Sequence, residues 1–116
     1  MTTPTFEVVH KDLRTFVDER EWDVFHAPKD LALSLAVEAG ELLEIFQWRE
    51  LSPNDITDED RARLADEIAD VVMYATLLAD KAGIDLPSAL SQKLAKNRAK
   101  YPVEKARGRS TKYDKL

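Results

Sequence analysis

The sequence contains no cysteine, which excludes disulfide bonds and thiolate metal sites. It has only three glycines and five prolines, and no apolar run approaches the roughly 18 residues that span a membrane. The N-terminal segment lacks the positively charged start and apolar run of a secretion signal, so we expect a cytoplasmic protein with no membrane partner. The net charge of −5 argues against a nucleic acid polymer as partner, because proteins that bind one are usually basic.

Hydrophobic periodicity is helical along the chain, with no strand-like alternation, so we expect an all-α protein. Breaks and capping residues divide the pattern into four expected helices, over about 6–21, 28–48, 57–81 and 85–101. Thr57 and Asp85 suit the starts of the third and fourth helices, and Gly83 suits the end of the third. After Pro102 the sequence is polar, with five basic and two acidic side chains. We therefore expect a helical domain over 1–102 and a C-terminal tail over 103–116.

Two carboxylate pairs lie where helices should carry core residues. One is Glu38 with Glu41 in the second expected helix, and the other is Glu67 with Asp70 in the third. Residues three apart share a helical face, so each pair points in one direction. At about 100° per residue, Glu38 and Glu67 fall inside the apolar stripes of their helices, while Glu41 and Asp70 fall at the edges. The apolar neighbours are Leu31, Leu35, Leu42 and Ile45 around Glu38, and Leu64, Val71, Tyr74 and Leu78 around Glu67.

Carboxylates in an apolar interface need a compensating positive charge, because burying an unpaired one is costly. No lysine or arginine falls inside either stripe, so a divalent cation is the simplest partner. Oxygen-only ligands favour Mg²⁺, with Mn²⁺ able to replace it. Iron is disfavoured because helical di-iron sites use Glu-x-x-His motifs, and neither His10 nor His26 belongs to a pair. The alternative is that these carboxylates face solvent, as most helical ones do; Glu44, at the stripe margin, fits a ligand and a surface residue equally.

The order of motifs resembles the MazG-like all-α nucleoside triphosphate pyrophosphatases, and most closely their dCTP pyrophosphatase branch. Glu-x-x-Glu followed after 25 residues by Glu-x-x-Asp is the carboxylate signature. The other similar segments, in order over about residues 6 to 113, are Glu21-Trp22, Phe25-His26-x-Pro28, Phe46-Gln47-Trp48, Asp70-Val71 with Tyr74, Asp85-Leu86-Pro87 and Lys93-x-x-x-Asn97-Arg98-x-x-Tyr101-Pro102. The ordered set is more specific for the superfamily than for a substrate.

This resemblance implies a four-helix bundle protomer that associates as a homodimer or homotetramer. It implies Mg²⁺-dependent hydrolysis of a nucleoside triphosphate to monophosphate and pyrophosphate, with dCTP or a modified dCTP as substrate and nucleotide-pool sanitation as the role. The metal and catalytic residues it implies are Glu38, Glu41, Glu67 and Asp70. The substrate-binding residues it implies are Trp22, His26 and Trp48 for the base, and Tyr74, Lys93 and Asn97 for phosphate or sugar. One departure weakens the case for cytosine: Leu13 stands where vertebrate members have a histidine.

The residues outside the carboxylate pairs also have structural interpretations. Trp22 and Trp48 could cover the ends of the core instead of stacking on a base. His26 could tie down the loop before the second helix, and Tyr74 could be a core aromatic. The two residues that share a face of the fourth helix, and could simply be solvated, are Lys93 and Asn97.

The reaction chemistry is also constrained by what side chains are present. Without a cysteine or a glycine-flanked serine, we expect no covalent nucleophile. Glu41 or Glu44 could act as general base in an in-line attack on the α-phosphorus. Two rival functions stay open: another or broader triphosphate specificity, such as a dUTPase-like one, and a non-catalytic helical interaction module whose carboxylates bind a structural ion or a basic partner.

Overall fold

The computed structural model describes residues 2–116, and in that range it contains helices but no β-strand, which confirms the all-α class. Its α-helices, in chain order, are α1 (Phe6–Glu19), α2 (Pro28–Glu44), α3 (Asp58–Lys81), α4 (Leu86–Lys100) and α5 (Val103–Ala106). The short 3-10 helices are Asp23–Phe25, Pro53–Asp55 and Tyr113–Lys115. Across these described residues, no helix combines the length and the apolar character that crossing a membrane requires. The chain forms two compact units, one running to Gly83 and the other from Ile84 to Leu116.

α1 ends at Glu19, two residues before the expected end, because Glu21 adopts a left-handed backbone conformation that terminates the helix. Glu21 has φ +53°, its backbone N–H donates to Asp18 O at 3.0 Å, and Trp22 N–H donates to Val17 O at 3.2 Å. These two bonds satisfy carbonyls that the helix end would otherwise leave open. They also turn the chain back, so Trp22 returns toward the last turns of α1.

α2 ends at Glu44, four residues before the expected end near Trp48. After Ile45 the backbone tightens into i→i+3 bonds, from Phe46 N–H to Leu43 O at 3.0 Å and from Gln47 N–H to Glu44 O at 3.1 Å. Trp48 then adopts φ +65°, which reverses the chain direction. A left-handed conformation is unfavourable for a bulky residue, so the surrounding contacts must hold it.

The contact that holds this segment is a bidentate ion pair at the start of α3. Arg49 donates from its two terminal nitrogens to Asp60 Oδ1 and Oδ2 at 3.0 and 2.9 Å. Asp60 also accepts from Thr57 N–H at 3.2 Å, and Thr57 Oγ1 accepts from Asp60 N–H at 3.1 Å, which forms a capping box. The expected cap at Thr57 is thus confirmed. Asp60 is only 4% exposed, and its bond with Arg49 is the main cause of its lowered pKa.

The first unit has a small core, built where α2 packs on α3. Among the described residues, the buried hydrophobic side chains are Val17, Leu31, Ile45 and Ala79. Leu31 and Ile45 belong to the expected α2 stripe, whereas Leu35 and Leu42 of that stripe are half-buried. The remaining apolar side chains are half-buried or exposed, so a single chain covers little of its apolar surface.

The second unit is built on α4 and the C-terminal segment. Asp85 caps α4, accepting from Ser88 N–H at 3.1 Å and from the Ser88 hydroxyl. Gly83, at φ +69°, separates α3 from this start, as expected. The rings of Tyr101 and Tyr113 meet edge to face, with centroids 6.2 Å apart. The division at 102, the four-helix bundle and its association stay predictions.

Candidate functional site

Three of the four expected ligand carboxylates converge between α2 and α3. Glu38, Glu67 and Asp70 each offer one oxygen, and these three oxygens lie within 4.8 Å of one another. All three side chains are half-buried. Their meeting follows from the sequence pattern, because Glu38 and Glu67 stand in the stripes with which α2 and α3 pack.

The fourth carboxylate, Glu41, lies beside this group rather than inside it. Glu41 is exposed, and its carboxyl, through side-chain hydrogen bonding, is the main cause that raises the pKa of Glu38 to about 7. Burial and the negative charges of Glu41, Asp70 and Glu67 raise it further. Glu44, the last residue of α2, is exposed.

Two carboxylate oxygens in this site are buried without a hydrogen-bond partner among the described residues. Within residues 2–116, Glu38 Oε2 and Glu67 Oε2 have no hydrogen-bond partner. Burial is also the main cause that raises the pKa of Glu67, followed by the charge of Glu41. Buried polar atoms are normally paired, and an unpaired carboxylate oxygen is among the most costly to bury.

A divalent cation fits this donor set. The ligands are all carboxylate oxygens, which hard cations prefer, and they come close enough together to share one ion. None of the ion pairs found in the described part of the chain involves Glu38, Glu41, Glu67 or Asp70. The cluster can therefore hold a metal ion that would satisfy the orphaned oxygens.

An apolar cleft of about 480 Å³ shares Asp70 with the carboxylate cluster. Trp22, His26 and Tyr74, three of the expected substrate residues, line it together. Its other lining residues are Val9, Asp12, Leu13, Phe16 and Val17 of α1, and Met73 and Leu77 of α3. A cleft of this size with aromatic walls and few polar groups is typical of a small-molecule site.

The segment after α1 fixes Trp22 and His26 at this cleft. Trp22 packs edge to face on Phe16, with ring centroids 5.6 Å apart. His26 N–H donates to Asp23 O at 3.0 Å, and the Asp23 carboxylate pairs with Lys81 Nζ at 2.7 Å. The loop is therefore tied both to α1 and to the end of α3.

The other three expected substrate residues belong to other segments of the chain. Trp48 does not line the cleft, and its side chain is 93% exposed. Lys93 and Asn97 lie in the second unit, on one face of α4, where Lys93 is exposed and Asn97 half-buried. Their roles stay predictions.

The sequence alone did not predict that one face of α1 forms a wall of the cleft. Sequence reasoning singled out Leu13 but not Val9, Asp12, Phe16 or Val17. Their spacing of three, four and seven residues marks one helical face and could have indicated a wall. The spacing could not indicate that this face opposes α3.

Comparison with known proteins agrees with the motifs. The profile of the MazG-like family matches residues 33–116. The chain is 40% identical to dCTP pyrophosphatase 1 of Mus musculus and of Homo sapiens, and each match covers 97% of this chain and 68% of the relative. A crystal structure of a pyrophosphatase from Archaeoglobus fulgidus superposes with a TM-score of 0.77 at 38% identity, covering 88% of this chain and 96% of that one. The profile match, together with relatives that align over almost the entire sequence, shows that this chain belongs to the MazG-like family.

Proposed function

We propose that this chain is a Mg²⁺-dependent nucleoside triphosphate pyrophosphohydrolase that acts on dCTP or a modified dCTP. The observation that carries the proposal is the pair of buried, unpartnered oxygens on Glu38 and Glu67, in a cluster that shares Asp70 with an aromatic cleft. Such an arrangement suits a ligand with a flat apolar end and a polyanionic end that brings cations with it. The names of the relatives, dCTP pyrophosphatase and pyrophosphatase, support the same reaction class.

In this proposal the metal is held by Glu38, Glu67 and Asp70, with Glu41 completing the set. When bound, Mg²⁺ would neutralise the triphosphate oxygens near four carboxylates and increase the acidity of a water. Because the metal would also bind the buried oxygens, it would remove the cost of leaving them unpaired.

The chain's own groups then position substrate and move the proton. Trp22 offers a flat ring for stacking on the base, and the Tyr74 hydroxyl can orient Asp70 or contact the substrate. With Glu41 among the metal ligands, Glu44, the exposed last residue of α2, takes the proton of the attacking water. The water oxygen forms a bond to the α-phosphorus, the bond from that phosphorus to the bridging oxygen breaks, and pyrophosphate leaves. Lys93 and Asn97 are proposed contacts for phosphate or sugar oxygens.

We further propose that the active form is a homodimer or homotetramer. Three helices carry exposed apolar pairs at i, i+4 spacing, each side chain at least 44% exposed. These pairs are Leu33 with Val37 on α2, Ile68 with Val72 on α3, and Leu90 with Leu94 on α4. Because the described part of the chain buries only four hydrophobic side chains, association would supply apolar burial that one chain lacks.

The deciding experiment is pyrophosphate release from a panel of ribo- and deoxynucleoside triphosphates with Mg²⁺, repeated in excess chelator. We expect pyrophosphate and monophosphate in equal amounts, highest kcat/KM for dCTP, and no turnover in chelator. Release from every triphosphate alike would favour a broad specificity. No release from any triphosphate would leave the non-catalytic interaction module as the better account.

A further inference from the structure

Asp12 interrupts an otherwise apolar helical face. Val9, Leu13, Phe16 and Val17 lie on the side of α1 that forms one wall of the 480 Å³ cleft, and Asp12 lies on the same side. Its spacing from them, three residues from Val9 and four from Phe16, is that of a wall residue. Asp12 is therefore the one charged side chain that α1 contributes to the lining of this cleft.

No neighbouring charge accounts for this carboxylate. The hydrogen bonds and ion pairs found within residues 2–116 do not include the Asp12 side chain. Arg14, the nearest arginine in sequence, is engaged instead with Asp80, at 2.7 Å. Nor does Asp12 belong to the metal cluster, whose converging oxygens come from Glu38, Glu67 and Asp70.

A ligand that fills the cleft must therefore offer a hydrogen-bond donor to the Asp12 carboxylate. Asp12 is exposed in the free chain, so water solvates it. A base lying against Phe16 and Trp22 would displace part of that water, and the cost is recovered only if the base donates a hydrogen bond. An ionised carboxylate can only accept hydrogen bonds, so it discriminates between donor and acceptor groups on the base edge.

The pyrimidines differ at the position that matters here. Cytosine carries an exocyclic amino group with two N–H bonds at the corner of its ring, and a carboxylate is a good acceptor for it. Uracil and thymine carry a carbonyl oxygen at that corner, and their ring N–H is flanked by two carbonyl oxygens that repel a carboxylate. We infer that Asp12 accepts a hydrogen bond from the amino group of a cytosine base and favours cytosine over uracil triphosphates. This inference rests on the proposed function and names its specificity-determining residue.

The test compares dCTP with dUTP, which differ only at this position and in the ring proton beside it. We would measure kcat/KM for both with the unmodified protein, Asp12→Asn and Asp12→Leu, and the affinities of dCMP and dUMP by titration calorimetry. Asp12→Asn should lower the dCTP to dUTP ratio of kcat/KM by about tenfold, because an amide can donate as well as accept. Asp12→Leu should remove the preference through a lower kcat/KM for dCTP, because leucine cannot accept a hydrogen bond from the amino group.

Asp18→Asn is the matched control. It changes the same residue type by the same charge on the same helix, but Asp18 lies outside the wall of this cleft. The dCTP to dUTP ratio should stay as in the unmodified protein. Thermal unfolding of each variant checks the fold, and Asp12→Leu should be at least as stable as the unmodified protein because it completes the apolar face.

Three results would overturn the inference. The ratio could stay unchanged in Asp12→Asn, the change could lower kcat equally for both nucleotides, or it could weaken dUTP selectively. If the unmodified protein released pyrophosphate from neither triphosphate, the proposed function would fail, yet the calorimetry would still decide on Asp12. In that case a loss of dCMP over dUMP preference in Asp12→Asn supports the inference, and equal affinities in the unmodified protein refute it.

Discussion

The two units of this chain carry opposite charge. The segment up to Gly83 has eight basic and 19 acidic side chains, a formal charge of −11, whereas the segment from Ile84 has nine basic and three acidic side chains, a charge of +6. The overall charge of −5 conceals this division. Net charges of these signs attract cations to the first unit and anions to the second.

The basic residues of the two units are also used differently. In the first unit Arg14, Arg49, Arg61 and Lys81 are each paired with an aspartate of that unit. They anchor loops and helix ends and leave the carboxylate cluster uncompensated. By contrast, the ion pairs found within residues 2–116 include none of the nine basic side chains of the second unit. The comparison teaches that the carboxylate cluster of the first unit has no basic partner among the described residues and can hold a metal ion instead.

Removing one of the half-buried carboxylates of the cluster should have the largest effect on activity. We expect Glu38→Gln and Glu67→Gln each to lower kcat by about 100-fold or more, because each removes a charged metal ligand. Both variants should stay folded, since the change relieves repulsion among the carboxylates. The measurements are pyrophosphate release and circular dichroism.

Asp66→Asn is the matched control for this pair. Asp66 precedes Glu67, is exposed, and lies off the apolar stripe, so the variant should keep near-normal turnover. If Glu38→Gln and Glu67→Gln were as active as Asp66→Asn, the carboxylate cluster of the first unit would not be the catalytic centre.

The proposed phosphate contact of the second unit, whose net charge is positive, can be tested by replacing Lys93. We expect Lys93→Met to raise KM for every accepted triphosphate by roughly tenfold, because an ammonium that contacts phosphate contributes to binding whatever the base. Since the side chain is exposed, the effect should shrink as salt is increased. Lys105→Met, the same change at an exposed position of α5, is the control and should leave KM close to normal. Equal effects of the two variants would mean that only the overall charge of this unit matters.

The carboxylate cluster and Asp60, both in the first unit, should give opposite pH dependences of stability. The pKa of Glu38 is raised from 4.5 to about 7, and that of Glu67 is raised in the same direction, so the folded state binds more protons than the unfolded state in this range. In chelator, the free energy of unfolding should therefore fall as pH rises from 4.5 to about 7. The pKa of Asp60 is lowered from 3.8, so its contribution is complete above that value and is lost as pH decreases below it.

Urea unfolding in chelator at several pH values between 3 and 8 would check this. Stability should be greatest near pH 4, and saturating Mg²⁺ should remove the decline toward neutral pH, because a metal binds the deprotonated carboxylates. Glu38→Gln should reduce the decline without metal. A free energy of unfolding that increased steadily from pH 4.5 to 7 in chelator would contradict the raised pKa values.

The sequence predicted those features that depend on local rules. Thr57 and Asp85 are short-range caps, and the side-chain oxygen of each meets an N–H three residues ahead in the chain, so both could be anticipated. The convergence of Glu38, Glu67 and Asp70 needed only helical periodicity and one assumption, that the two apolar stripes face each other. That assumption is satisfied by the packing of α2 on α3.

The features that escaped prediction depend on contacts between segments distant in sequence. α2 stops at Glu44 although its pattern continues, and the segment beyond it is held by the pair from Arg49 to Asp60, eleven residues on. Asp12 becomes a candidate binding residue only because its face of α1 lines the same cleft as Met73 and Leu77 of α3. Helical periodicity shows which residues share a face, but not which other face that one meets.

The smallest expected effect concerns Trp48, the most exposed aromatic side chain of the first unit. Its ring is 93% exposed, so Trp48→Ala should change the free energy of unfolding by no more than about 0.5 kcal/mol. Because Trp48 has φ +65°, a conformation that glycine adopts freely, Trp48→Gly should be more stable than Trp48→Ala by roughly 1 kcal/mol.

If the ring stacks on a base, both variants should raise KM by a similar factor for all accepted triphosphates, because stacking discriminates poorly between bases. That factor should be at the low end of the 5- to 150-fold range that about 1 to 3 kcal/mol of stacking implies, since Trp48 lies outside the cleft. Steady-state kinetics and urea unfolding of the two variants separate the roles: unchanged KM in both would leave Trp48 with no part in binding, whereas a KM increase for one base only would make it a specificity residue rather than a stacking platform.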